Sequence, residues 1–133
     1  MNKKLRKNIF LYLTIIKIYL MDFQTKYSFD QRKFESFNIL QKYHSRLPII
    51  LSYDNKEFYL DKCKYLVPSN FTVGQFMFFL RQNIKLDSAK SIFIFVNKTI
   101  PPTNAVMSDI YNKYHDLDGF LYFSIKGENT FGK

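Results

Sequence analysis

Gly119-Phe120-Leu121-Tyr122-Phe123-Ser124-Ile125, followed by the polar end Gly127-Glu128-Asn129-Thr130-Phe131-Gly132-Lys133, is the stretch from which the rest of the chain is read. Its first part predicts a strand, since aromatic and branched residues run from Phe120 to Ile125 behind a turn at Asp116-Leu117-Asp118-Gly119. Its second part is a polar, flexible tail with one glycine just before the last residue. With no Cβ, Gly132 offers an unhindered carbonyl to a narrow active-site tunnel, so such an end can be processed.

Upstream of that strand, Thr103 is positioned to cap a helix carrying Val106, Met107, Ile110, Tyr111 and Tyr114. Before it, Ser91-Ile92-Phe93-Ile94-Phe95-Val96 is a continuous apolar run, which predicts a central strand buried on both faces, and Asn97-Lys98 turns the chain. Thr72-Val73-Gly74-Gln75 fits a capping box, and the helix it opens sets Val73, Phe76, Met77, Leu80 and Ile84 on one face. Lys62 to Val67 alternates, with Lys62, Lys64 and Leu66 on one side and Cys63, Tyr65 and Val67 on the other. It should pair as an antiparallel hairpin with Arg46-Leu47-Pro48-Ile49-Ile50-Leu51, whose proline belongs near the strand start or on an edge because it cannot donate to a ladder. A short turn at residues 52–56 follows the first of these strands. Tyr27 to Tyr43 reads as helix, with Ser28 or Asp30 as cap and Phe34, Phe37, Ile39 and Leu40 at helical spacing. Strand, strand, helix, strand, helix, strand is the order of the ubiquitin β-grasp, an α+β fold, here preceded by extra N-terminal helices.

The bulk numbers agree with one domain. The chain has 133 residues, 47% hydrophobic and 19% aromatic, with 15 Phe, 10 Tyr and no Trp, so disorder is excluded and a Phe-packed core is expected. Formal charge is +9, but five of the 20 basic residues and none of the 11 acidic ones precede Met21, which leaves +4 for residues 21–133. A basic surface favours acidic peptides, phosphates or anionic lipid, and does not imply nucleic acid. Single Cys63 rules out an intramolecular disulfide and a Cys-rich metal site. Paired with His44 or His115 it could be imagined as a thiol catalytic site, but neither histidine sits in a motif, and Cys63 reads as an inert packing residue. Residues 1–20 have a basic start and an apolar run from Ile9 to Leu20 broken by Lys17, too short for a confident membrane span. Three readings stand: an over-extended gene model with Met21 as the start, a targeting or membrane-surface segment, and a helix packed on the domain. The division expected is an extension at 1–20, a ubiquitin-like domain at 21–126 and a conjugation tail at 127–133.

Several separate segments resemble the autophagy ubiquitin-like modifiers of the GABARAP type: Arg46-Leu47-Pro48, Lys64-Tyr65-Leu66-Val67-Pro68, Thr72-Val73-Gly74-Gln75-Phe76, Ile92 to Asn97, Pro101-Pro102-Thr103, Asp118 to Tyr122, and the tail Gly127 to Gly132. The likeness runs from about Tyr27 to Lys133, and the two N-terminal helices that separate this family from ubiquitin are expected within Tyr27 to Tyr43. The resemblance implies a substrate rather than an enzyme, with no catalytic residue, metal or cofactor of its own. A cysteine protease would remove Lys133; activating and conjugating enzymes would then pass the Gly132 carboxylate to phosphatidylethanolamine on autophagosomal membranes. Thr130 and Phe131 would lie nearest the protease and transfer sites. The protein would be cytoplasmic and monomeric before conjugation and membrane-bound after it.

The same resemblance implies an open sheet edge that takes receptor peptides carrying an aromatic residue and, three positions on, a branched aliphatic one. The aromatic pocket would use Glu35, Ile39, Pro48, Ile50, Lys64, Leu66 and Phe120. The aliphatic pocket would use Tyr65, Val67, Pro68, Phe71, Phe76 and Phe79, with Arg46 and Lys64 left to attract acidic ligand residues. Asn83 stands where the family usually has Arg, and Phe71 and Phe79 stand where long aliphatic residues are common. The rival expectation from another class is a ubiquitin-like peptide-binding or cytoskeletal adaptor that is never conjugated.

Overall fold

Alternation sets the last strand: Leu121, Phe123, Ile125 and Gly127 are buried while Tyr122, Ser124 and Lys126 between them are half-buried. In the computed structural model, which describes residues 2–9, 11, 23–53, 63–83 and 91–127, this strand (β4, Leu121–Gly127) lies inside a four-stranded sheet. The elements before it are α1 (residues 3–9), α2 (Phe23–Lys26), α3 (Phe29–Lys42), β1 (Arg46–Tyr53), β2 (Lys64–Pro68), α4 (Val73–Asn83), β3 (Ile92–Phe95) and α5 (Met107–Tyr114). Strand order is β2-β1-β4-β3, with β1 parallel to β4 and the outer pairs antiparallel. This is the β-grasp expected from the order of elements. Ser52 and Tyr53, expected in a turn, belong to β1, and the expectations for residues 54–56, Lys62, Ile84, Thr130, Phe131, Gly132 and Lys133 lie outside the described residues.

Both inner strands are covered on two sides, so consecutive residues of β1 are buried: Ile49 faces one helical layer and Ile50 the other. The larger cluster joins Ile49, Leu51, Val67, Phe76, Leu80, Ile94, Met107, Leu121, Phe123 and Ile125 beneath α4 and α5. The smaller consists of Phe23, Ile50 and Phe120, with Ile39 and Tyr122 packed against it, beneath α2 and α3.

The structure corrects further expectations. Ser91 to Val96 does not form a central strand: β3 is the sheet's outer strand, with Ile92 and Ile94 buried and Phe93 and Phe95 half-buried. An unbroken apolar run marks two apolar faces, but Phe95 meets that requirement at an edge, where the Lys126 ammonium lies 5.2 Å from its ring. Thr103 does not cap α5, whose cap residue, Val106, makes no side-chain cap bond. Instead the two helix starts are satisfied by each other's loops. Val73 and Gly74 donate to the carbonyls of Ala105 and Thr103 at 2.9 Å each, and Met107 and Ser108 donate to Phe71 and Ser69 at 2.8 and 3.0 Å. Tyr27 to Tyr43 supplies one helix rather than two, because Ser28 is extended and caps α3 through a capping box with Gln31, leaving α2 upstream. Finally, Phe34 and Phe37 face outward at 69% and 59% exposure, and the buried residue of α3 is Ser36.

Other local readings hold. Thr72 and Gln75 form the capping box of α4, the Thr72 amide donating to Gln75 Oε1 at 2.8 Å and the Gln75 amide to Thr72 Oγ1 at 3.1 Å. Asn97 and Lys98 both take positive φ, which lets a two-residue loop follow the twist of the hairpin it joins. Pro48 is accommodated by phase. Ser69 donates to Ser45 and Leu51 to Cys63, so odd residues of β1 bond to β2, and the Pro48 nitrogen faces β4 one residue before parallel pairing begins at Ile49.

Candidate functional site

Among the described residues β2 is an outer strand with no neighbour on its far side, and the candidate site is built along that edge. Residues 63, 65, 67 and 69 exchange bonds with β1, so the backbone groups of Lys64 and Leu66 point away from the sheet. The Leu66 carbonyl accepts from the Arg46 guanidinium at 3.1 Å, and its second lone pair is left for another donor.

Alternation along β2 sends its side chains to opposite faces. On the α4 side, all six residues assigned to the aliphatic pocket, Tyr65, Val67, Pro68, Phe71, Phe76 and Phe79, line one cavity of ≈ 360 Å³, together with Arg46 and Leu66. Tyr65 meets Phe76 and Phe79 edge-on at 6.1 and 6.2 Å between ring centres. Asn83 turns back onto its own helix, donating from Nδ2 to the Phe79 carbonyl at 2.8 Å. A second, more open cavity of ≈ 710 Å³ shares the Phe71 and Phe79 walls and is lined further by Phe78, Gln75, Gln82, Thr103 and Asn104.

On the α3 side stand Glu35, Ile39, Pro48, Ile50, Lys64, Leu66 and Phe120. Pro48, Ile50 and Phe120 are buried, and the other four are half-buried. Lys64 and Glu35 form an ion pair, both side chains 36% exposed, so the pair contributes about 0–1 kcal/mol. The residue missed from sequence is Phe23. It is 7% exposed, packs in one cluster with Ile50 and Phe120, and lies 5.0 Å from the Phe120 ring in an edge-on arrangement, with the Lys64 ammonium 5.5 Å from its centre. The only sequence signal is its spacing from Tyr27, one helical turn on, whose ring centre is 5.1 Å away.

A polar core stabilises this face from behind. Asp118, fully buried, takes the Arg32 guanidinium at 2.5 Å, accepts from the Tyr122 hydroxyl, and accepts from the Phe120 amide at 2.8 Å. Ser36 donates to the Asp118 carbonyl at 2.5 Å, and Tyr111 donates to the Gly119 carbonyl at 2.7 Å. Gly119 has φ +90, and a Cβ there would fall 2.3 Å from Ser36 Oγ, so only glycine fits. Burial, reinforced by the hydrogen bond to Asp118, pushes the Tyr122 phenol well above its ordinary range. The hydrogen bond with Tyr122 likewise raises the Arg32 guanidinium, against the effect of burial. The turn that read as a helix stop is thus the anchor of Phe120.

Cys63 is exposed rather than packed, and with Phe23, Gln24 and Tyr122 it borders a cavity of ≈ 160 Å³. His115 stacks on Tyr111 at 5.0 Å, its Nδ1 2.9 Å from the Tyr111 carbonyl. Among the described residues no group of three or more His, Cys, Asp and Glu is placed to hold a metal, and no helix is long and apolar enough to cross a membrane.

Comparison with known proteins converges on one family. Residues 31–132 match the family described as "Autophagy protein Atg8 ubiquitin like". Autophagy-related protein 8 of Kluyveromyces lactis is 52% identical over 112 residues, covering 83% of this chain and 90% of that protein. The Saccharomyces cerevisiae protein of the same name is 49% identical over 113 residues, covering 84% and 97%. The crystal structure of Trypanosoma brucei ATG8 superposes with a TM-score of 0.76 at 39% identity, over 81% of this chain and 95% of that one. Plasmodium falciparum Atg8 in complex with a P. falciparum Atg3 peptide gives 0.74 at 33% identity, over 80% and 96%. With its β-grasp, its added N-terminal helices and these matches taken together, the chain belongs to the Atg8 family of ubiquitin-like autophagy proteins.

Proposed function

We propose that this chain is a modifier conjugated through Gly132 to phosphatidylethanolamine in autophagosome formation, and that the β2 edge is its docking site for receptor peptides. The observation that carries the docking reading is the pair of side-chain beds on opposite faces of one free edge. In an extended peptide, residues three apart point to opposite faces, since the period is two. A peptide paired along Lys64 and Leu66 therefore sends an aromatic residue toward Ile50 and Phe120 and an aliphatic residue three positions on into the cavity beside Tyr65 and Phe76. Backbone pairing tolerates many sequences, so the two beds carry the selectivity. Asn83 adds no charge to the rim, and Arg46 and Lys64 are the cations left to meet an acidic ligand.

The relative from P. falciparum was solved with an Atg3 peptide. By likeness to it, a conjugating enzyme is among the partners of this chain, with a processing cysteine protease and an activating enzyme before it. The chemistry of conjugation is theirs. This chain supplies a glycine carboxylate once Lys133 is gone.

Two measurements test the two halves. Gly132→Ala should abolish the lipid-bearing species in intact-mass spectra from cells; persistence of that species would end the conjugation reading. Leu66→Ala should weaken calorimetric binding of an aromatic-x-x-aliphatic peptide about tenfold, equivalent to about 1.4 kcal/mol. Unchanged affinity would move the docking site off this edge.

A further inference from the structure

In the free chain the bed on the α3 side already holds an aromatic ring. Phe23 is the buried residue of α2, and it packs on Ile50 and Phe120 with Ile39 and Tyr122 against the same cluster. Ile39, Ile50 and Phe120 are side chains that the docking reading offers to a ligand's aromatic residue. Phe23 also takes the Lys64 ammonium at 5.5 Å, in the manner open to any aromatic ring at that position.

The helix that carries Phe23 meets the sheet through that one buried side chain among the described residues. In its described part, Phe23–Lys26, only Phe23 is buried, and Gln24, Thr25 and Lys26 are exposed. Ser28 then starts α3 independently: its hydroxyl accepts from the Gln31 amide at 3.1 Å and Gln31 Oε1 accepts from the Ser28 amide at 2.9 Å. With that box closed, α2 can lift from the sheet while α3 keeps its first turn and its ion pair from Arg32 to Asp118.

The geometry points to α2 as an intramolecular competitor: Phe23 and the aromatic residue of an incoming peptide occupy the Ile50–Phe120–Lys64 bed in alternation. This rests on the edge-docking reading above. Only molecules with α2 lifted accept the aromatic anchor, so the apparent dissociation constant is the intrinsic one divided by the lifted fraction.

The test titrates the full chain, Phe23→Ala and Leu66→Ala with a synthetic peptide carrying Trp-x-x-Leu, and follows amide hydrogen exchange over residues 23–27 in the unaltered chain. Phe23→Ala should bind more tightly, on the order of threefold or more if the lifted fraction is a third or less. Exchange over residues 23–27 should quicken at saturation. If Leu66→Ala weakens binding while Phe23→Ala binds equally or more weakly, Phe23 is a wall of the site and the competitor is overturned, though the edge stands. Should Phe23→Ala not fold, exchange in the unaltered chain decides: slowed or unchanged exchange on saturation overturns the inference. Unchanged affinity in Leu66→Ala removes the edge reading and the competitor with it.

Discussion

The two faces of the sheet are built on different principles. Beneath α4 and α5, fourteen buried residues among those described form one apolar cluster with no charged side chain in it. Beneath α2 and α3, three buried apolar residues are joined to Ser36 and to an ion pair in which Asp118 is fully buried and Arg32 12% exposed. The first face derives its stability from area removed from water, which is not directional. The second, among the described residues, is positioned by hydrogen bonds, which are directional and fix Phe120 relative to α3. A face held by a few oriented bonds can exchange one apolar occupant for another without unfolding the rest.

That contrast can be broken or sharpened by substitution. The largest effect is expected on the apolar face, where Phe76→Ala, at a residue with no exposure, should cost about 4 kcal/mol in urea unfolding. A loss below about 1 kcal/mol would mean that α4 is not the lid of the core.

Next is the polar face. Asp118→Asn keeps the shape of the side chain but leaves the Arg32 guanidinium without its counter-charge, and should cost about 3 kcal/mol. Alkaline pH probes the same cluster. Tyr122 is raised by burial and by its bond to Asp118, and Tyr111 by burial and then by the Asp118 charge, so in the fold both keep protons that the unfolded chain releases near pH 10. Their contribution is complete below about pH 10 and is lost as pH rises further. The unfolding free energy should therefore fall more steeply above about pH 10 in the unaltered chain than in Tyr122→Phe. Equal slopes would show that Tyr122 does not carry the effect.

The smallest effect belongs to the outer surface of α3. Phe34, 69% exposed, makes no part of either core, so Phe34→Ser should change stability by no more than about 0.5 kcal/mol. A loss above about 1 kcal/mol in thermal unfolding would make the α3 face apolar after all, and the contrast between faces would weaken.

Local chemistry was legible in the sequence wherever neighbours along the chain decide it. The Thr72 and Gln75 capping box, the turn at Asn97 and Lys98, the alternation of β2 and the order of elements all depend on spacings of a few residues. The beds at the β2 edge were reached by resemblance, and the residues named for the aliphatic one line a single cavity. What sequence alone did not decide is which strand lies at the edge and which residue fills a bed. Ile92 to Phe95 is as apolar as a central strand, yet its place beside β4 and no other strand follows from pairing across the sheet. Phe34 and Phe37 have helical spacing, but Ser36 is the residue that turns inward, because the Asp118 carbonyl, 82 residues away, needs its hydroxyl. Phe23 is one aromatic among many until Ile50 of β1 and Phe120, the residue just before β4, meet beneath it. Periodicity reports what a segment can bury; only contacts between distant segments determine what is there to bury it.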